Sequence, residues 1–210
     1  MGRVILIAML RDVARAVARD LGEQAKEPMA YIRTAGKNSS EQGLRITNRD
    51  ALVEAGFRPT NYTITSKSAV ELRRDLAEFP ILCFEGGDPF YLLEQMQKMN
   101  TTDTIRELTR ERLYIGFSAG ATMAGPGIMS ARHNFDTTFP ELTDTKGLGL
   151  VDVVVLNHWG SVPGREVFLV GKCGRPGAVF NNFDGEFRRI FLADNQHLDF
   201  EEGRFAFREV

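Results

Sequence analysis

Tyr114-Ile115-Gly116-Phe117-Ser118-Ala119-Gly120-Ala121 decides how the rest of the chain is read. An apolar run from Leu113 to Ile115 ends in Gly-x-Ser-x-Gly and passes into small residues of helical promise, Ala119 to Ala124. The pattern predicts a strand, a sharp turn and a helix start, with Ser118 in a strained conformation and the two glycines allowing strand and helix to cross closely. The hydroxyl would then stand at the carboxyl end of a sheet, facing the free N–H groups and positive dipole end of the next helix. Such a spot stabilises an oxyanion, with the N–H of Ala119 as one donor. The same residues also suit a Gly/Ala-rich βα turn that only packs tightly or holds a phosphate.

Working outward, the amino-terminal half alternates strand and helix. Arg3 to Ala8 reads as a buried strand, and Asp12 to Leu21 carries apolar residues at helical spacing, closed by Gly22. Met29 to Ile32 is a second strand, followed by a polar loop from Thr34 to Ser40. Asn48 or Asp50 could cap a helix ending near Gly56. A short strand is expected at Asn61 to Thr65, and Ser68 caps a helix from Val70 to Ala77. Pro80 to Phe84 is a buried strand ending in Glu85-Gly86-Gly87-Asp88. Helices follow from Phe90 to Met99 and from Thr102 or Asp103 onward. The alternation predicts an α/β fold: a mostly parallel, doubly wound sheet with flanking helices on both faces. After the elbow, Val151 to Leu156, Ala178 to Phe180 and Phe187 to Leu192 read as strands. His197 to Phe200 and Arg204 to Arg208, joined across Glu201-Glu202-Gly203, read as a C-terminal β-hairpin with alternating faces. With no repeat or linker, residues 1–210 form one domain.

Composition narrows the class. The 210 residues carry 26 Lys and Arg against 28 Asp and Glu, a formal charge of −2 with neither sign in a long block. Nothing in that balance argues for nucleic acid or an anionic membrane as partner. Cys83 and Cys173 fit no metal spacing, and Cys83 sits in an apolar run as a buried free thiol would, which suits a reducing, cytoplasmic setting. The N-terminus has no signal-peptide pattern, and no segment reaches about 18 apolar residues.

A serine hydroxyl needs a base and an orienting acid to act as a nucleophile. Of the three histidines, His158 ends the run Val153-Val154-Val155-Leu156, which puts it at a strand's carboxyl end on the same rim of the sheet as Ser118. His133 lies in a polar stretch and His197 in the final hairpin. The Gly86-Gly87-Asp88 turn falls on that rim too. The N–H of Gly87 could be a second oxyanion donor, while Asp88 could cap the helix at Phe90 or face substrate. Asp194, just past a strand, is the candidate acid, with Asp136, Asp144 and Asp152 as competitors.

These residues resemble the serine peptidases typified by aspartyl dipeptidase (peptidase E), to which cyanophycinase is more distantly related. The likeness rests on Phe84 to Asp88, on Tyr114 to Ala121, on Gly147 to Leu150 followed by Asn157-His158, and on Leu192-Ala193-Asp194 before a terminal hairpin. It covers most of the chain in order. The resemblance implies a fold like that of class I glutamine amidotransferases (flavodoxin-like). It also implies Ser118 as nucleophile, His158 as base, Asp194 as acid, and Gly87 and Ala119 as the oxyanion hole. Small peptides, dipeptides with N-terminal Asp above all, are the implied substrates, and no cofactor or metal is required. Three departures stand out. The turn reads Gly86-Gly87-Asp88-Pro89 where peptidase E commonly has Gly-Gly-Asn-Thr, the base is flanked by Asn157 and Trp159 where Pro-His-Tyr is usual, and the arginine-rich helix after the base is shortened or replaced by Val162 to Pro176. Arg165 is the candidate cation for an acidic substrate. Alternatives are a non-catalytic, ligand-binding homologue and an esterase sharing the elbow, which would need Asp152 with His197. Phe200, Phe205 and Phe207 in the hairpin could serve a homodimer interface as readily as a core.

Overall fold

The computed structural model describes residues 2–38, 42–134, 142–161 and 187–210. Five strands run parallel in the main sheet: β1 (Val4–Ile7), β2 (Pro28–Ile32), β3 (Arg58–Tyr62), β4 (Ile81–Phe84) and β5 (Leu113–Phe117). The sheet is completed by β8 (Gln196–Glu201), antiparallel to β1, and β9 (Arg204–Glu209), giving the order β3-β2-β4-β5-β1-β8-β9. Two further strands, β6 (Val153–Asn157) and β7 (Arg188–Leu192), pair parallel in a separate two-stranded sheet.

Alternation of side chains along each strand splits the core into two layers. Ile5 and Ile7 face Val13 and Val17 of α1 (Leu10–Leu21) and Leu52 of α2 (Gln42–Glu54). Val4 and Leu6 share the opposite layer with α3 (Ala69–Asp75), α4 (Pro89–Lys98), α5 (Thr102–Arg110) and α6 (Ala119–Ala124). Strands β1, β4 and β5 are buried along their whole length, as continuous apolar runs require when both faces are covered. Val153 and Val155 of β6 and Leu192 of β7 join the second layer, so the small sheet packs on the α6 side.

Local chemistry explains most boundaries. Ser68 closes a capping box with Glu71: its hydroxyl accepts from the Glu71 N–H while the Glu71 carboxylate accepts from the Ser68 N–H. Three expectations are corrected. Helix α2 begins at Gln42, so Asn48 and Asp50 lie inside it, Asn48 buried and Asp50 exposed; for Asn48, packing overrides the preference for a cap. The short strand falls at Arg58–Tyr62 rather than Asn61 to Thr65, and Pro59 is tolerated because β3 is a sheet edge. In the hairpin β9 is exposed throughout as the other edge, while most of β8 is buried between β1 and β9. The strand expected at Ala178 to Phe180 lies outside the described residues.

Candidate active site

The turn between β5 and α6 is as sharp as the sequence implies. Ser118 has φ 50° and ψ −107°, a region that side chains avoid, and it is pinned there by its N–H donating to the Ile7 carbonyl at 2.9 Å. The flanking glycines are dictated by contact. A Cβ on Gly120 would stand 2.3 Å from the Phe84 carbonyl oxygen, and one on Gly116 would stand 2.6 Å from the Gly120 carbonyl. The Tyr114 hydroxyl, buried in the core, donates to that Gly120 carbonyl at 2.7 Å and ties the crossing together.

His158 and Asp194 complete a line. The Ser118 Oγ is 3.0 Å from His158 Nε2, and His158 Nδ1 is 2.6 Å from Asp194 Oδ1. The imidazole side chain is 17% exposed and the carboxylate 23%, so both are partly sheltered yet reachable from solvent. With Nδ1–H donated to the carboxylate, Nε2 presents a lone pair toward the serine hydroxyl, the polarity that proton abstraction needs. The route by which His158 arrives differs from the expectation: β6 belongs to the small sheet, not to the rim of the main one. An apolar strand reads the same in either sheet, because the pattern reports burial and not the pairing partner.

The turn after β4 closes the other side. A Cβ on Gly86 would come within 3.1 Å of the Ser118 Cβ, so this turn abuts Ser118. Gly87 has φ 131°, and a Cβ there would lie 2.4 Å from the Ala35 carbonyl oxygen, which leaves glycine as the fitting residue. Among the described residues no protein acceptor takes up the N–H of Gly87 or of Ala119. Asp88 caps α4: its Oδ1 accepts from the N–H groups of Phe90 and Tyr91. Burial pushes the Asp88 carboxyl up, against the lowering effect of those two bonds.

Sequence reasoning passed over Asn157 as a support. Its side-chain amide donates to the Ser118 carbonyl at 3.0 Å and to Thr122 Oγ1 at 3.1 Å, while the Thr122 hydroxyl donates to the same carbonyl. The small sheet is thereby tied to the elbow itself. The only hint in the chain was a buried-strand run ending in Asn-His.

The competing residues lie elsewhere. The His197 side chain is 2% exposed, and its Nε2 is 3.9 Å from Asp20 Oδ2. Asp144 Oδ1 accepts from Gln97 Nε2 and the Lys146 N–H, and Asp152 is exposed ahead of β6. The side chain of His133 and the residues Asp136, Arg165 and Cys173 lie outside the described residues; Cys83 is a buried free thiol. Among the described residues no group of three His, Cys, Asp or Glu could hold a metal ion, and no helix is long and apolar enough to cross a membrane.

An α/β frame with a serine at a strained βα turn and a hydrogen-bonded imidazole and carboxylate beside it is a hydrolase architecture. A family model described as Peptidase family S51 matches residues 5–205, and the chain belongs to that family. Among its relatives, an uncharacterised peptidase of Pasteurella multocida (strain Pm70) is 26% identical over 166 residues, covering 78% of this chain and 80% of that one. Peptidase E of Haemophilus influenzae (strain ATCC 51907 / DSM 11121 / KW20 / Rd) is 30% identical over 122 residues, 57% of this chain and 53% of its own. A crystal structure of a candidate peptidase E protein from Listeria monocytogenes EGD-e shares the fold at a TM-score of 0.83 and 20% identity, covering 100% of this chain and 99% of that one.

Proposed function

We propose that this chain is a serine peptidase that hydrolyses small peptides, with dipeptides bearing an N-terminal Asp as its preferred substrates. The observation that carries the reading is the line from Ser118 Oγ through His158 to Asp194, at 3.0 and 2.6 Å. His158 Nε2 takes the hydroxyl proton as Oγ attacks the peptide carbonyl, and Asp194 holds the resulting imidazolium. The N–H groups of Gly87 and Ala119 receive the tetrahedral oxyanion. Protonated His158 then donates to the leaving amine, and water, activated in the same way, releases the acid from Ser118. Arg165 is assigned to an acidic side chain of the substrate, and Asp88, beside the oxyanion turn, to substrate binding. The buried thiol of Cys83 fits a reducing, cytoplasmic setting.

The test is hydrolysis of a panel of Asp-X, other X-X and isoaspartyl dipeptides by the parental protein and by Ser118→Ala. Asp-X should be cleaved best, and the variant should lose at least about a thousandfold in kcat/KM without losing its fold. Near-normal cleavage by Ser118→Ala would rule the mechanism out. The esterase arrangement with Asp152 and His197 finds no support, since the His197 side chain is buried beside Asp20.

A further inference from the structure

The carboxyl ends of β2 and β3 border a cavity of about 350 Å³ lined by Arg33, Thr34, Lys37, Asn61, Tyr62 and Thr63. None of these six takes part in the chemistry at Ser118, yet the cavity adjoins the oxyanion turn. Thr34 precedes Ala35, whose carbonyl accepts from the Asp88 N–H at 2.9 Å and stands against Gly87. Lys37 Nζ lies 6.0 Å from the ring centroid of Tyr91, in the first turn of α4.

The lining is mostly apolar surface that carries two cationic side chains, Arg33 and Lys37. Arg33 Nε stands 3.3 Å from Glu85 Oε2, and that carboxylate is 1% exposed, so these two charges offset each other. Lys37 pairs with no carboxylate among the described residues and leaves a positive charge at the mouth. The hydroxyls of Thr34 and Thr63, 3.2 Å apart, border it and are held by each other, by the Ile64 N–H and by Thr65.

Position determines which part of a substrate could reach it. The leaving amine must lie near His158, whose strand β6 pairs with β7 and packs against α6, so the acyl part of the substrate runs the other way, across Gly87 toward β2. In the order β5-β4-β2-β3 the cavity lies two to three strand spacings from the elbow strand, roughly 10–14 Å at about 4.8 Å each. An aspartyl side chain on the residue bonded to Ser118 falls short of that span. The next residue outward, about 3.5 Å further along an extended chain, brings its side chain there.

We propose that this cavity is a carboxylate subsite, with Lys37 its specificity-determining cation, for an acidic residue one position N-terminal to the residue that acylates Ser118. The inference rests on the peptidase reading and extends it: acyl groups of two residues are accepted, with an acid in the outer position.

The test uses Ser118→Ala protein, so that binding is read without turnover, titrated calorimetrically with Asp-Asp-Leu and Asn-Asp-Leu. These peptides differ only in the outer carboxylate. The acid should bind roughly tenfold more tightly, as a charge-assisted contact allows. Adding Lys37→Gln should abolish the difference and Lys37→Arg should restore most of it. Equal affinities, no binding of either peptide, or a preference that survives Lys37→Gln overturns the proposal. Absence of peptide hydrolysis by the parental protein bears on the serine mechanism instead, and leaves this binding difference measurable.

Discussion

Asn157 of β6 stands opposite Leu192 of β7 in a parallel register, and that pairing brings together the two side chains that follow it. His158 comes one residue after Asn157, and Asp194 two after Leu192. Parallel strands end on the same side, so imidazole and carboxylate emerge together. The Trp159 N–H extends the pairing by donating to the Leu192 carbonyl at 3.1 Å, and the rings of Trp159 and Phe191 meet at 4.3 Å. The contact between His158 Nδ1 and Asp194 Oδ1 is therefore a consequence of strand register.

Asp194→Asn keeps the shape of the acid but removes the charge that, on the proposed mechanism, stabilises the imidazolium. We expect kcat for peptide hydrolysis to fall about a hundred- to ten-thousandfold with KM little changed. Steady-state kinetics check this, and an unaltered kcat would mean that some other carboxylate serves His158.

Asn157→Leu removes the amide that ties β6 to the Ser118 carbonyl and Thr122. A lost buried hydrogen bond costs about 1–3 kcal/mol, and part of that should appear as a misplaced imidazole. The expected outcome is a fall of about tenfold or more in kcat, together with slower labelling of Ser118 by a fluorophosphonate. Unchanged labelling would show that the tether does not position the base.

Gly120→Ala introduces a methyl group 2.3 Å from a backbone oxygen of Phe84, where no flexible side chain can yield. Overpacking of this kind costs roughly 1–3 kcal/mol, so the urea midpoint should drop at constant slope. A midpoint equal to that of the parent would mean that strand and helix cross more loosely than described.

Stability should also decline on mild acidification through His197. Burial pushes its imidazole pKa down, an effect opposed by Asp20 and Asp199 and reinforced by Arg208 and Arg3. Below about 6.5 the unfolded chain takes up a proton that the folded chain resists, so the contribution is present above that pH and is lost as pH falls toward the depressed folded value. Thermal melts of His197→Gln between pH 7.5 and 5.5 should show a flatter dependence of Tm than the parent; parallel curves would exclude His197 as the source.

Much of this was legible because burial writes itself into composition. Strands β1, β2, β4 and β5, covered on both faces, appear as unbroken apolar runs, and the Ser118 turn is marked by glycines that contact geometry demands. Ser68 and Asp88 announced their helices by capping chemistry. What stayed hidden depended on partners distant in sequence. Val153 to Leu156 cannot reveal whether it pairs with β7 or with the main sheet, and the amide of Asn157 acquires its role only beside Thr122, 35 residues away. Asn48 read as a cap because its preference is local, whereas its burial inside α2 is tertiary.

Because the Ser118 hydroxyl is mounted on one sheet and the His158 imidazole on another, the proposed turnover would have two separately adjustable settings. Substitutions within β6 and β7 would change how the imidazole and the carboxylate meet. Substitutions where Asn157 meets α6 would alter how closely the two halves approach, scaling the rate at every pH alike. A lineage could thus adjust one of these two relationships while the other stays in place.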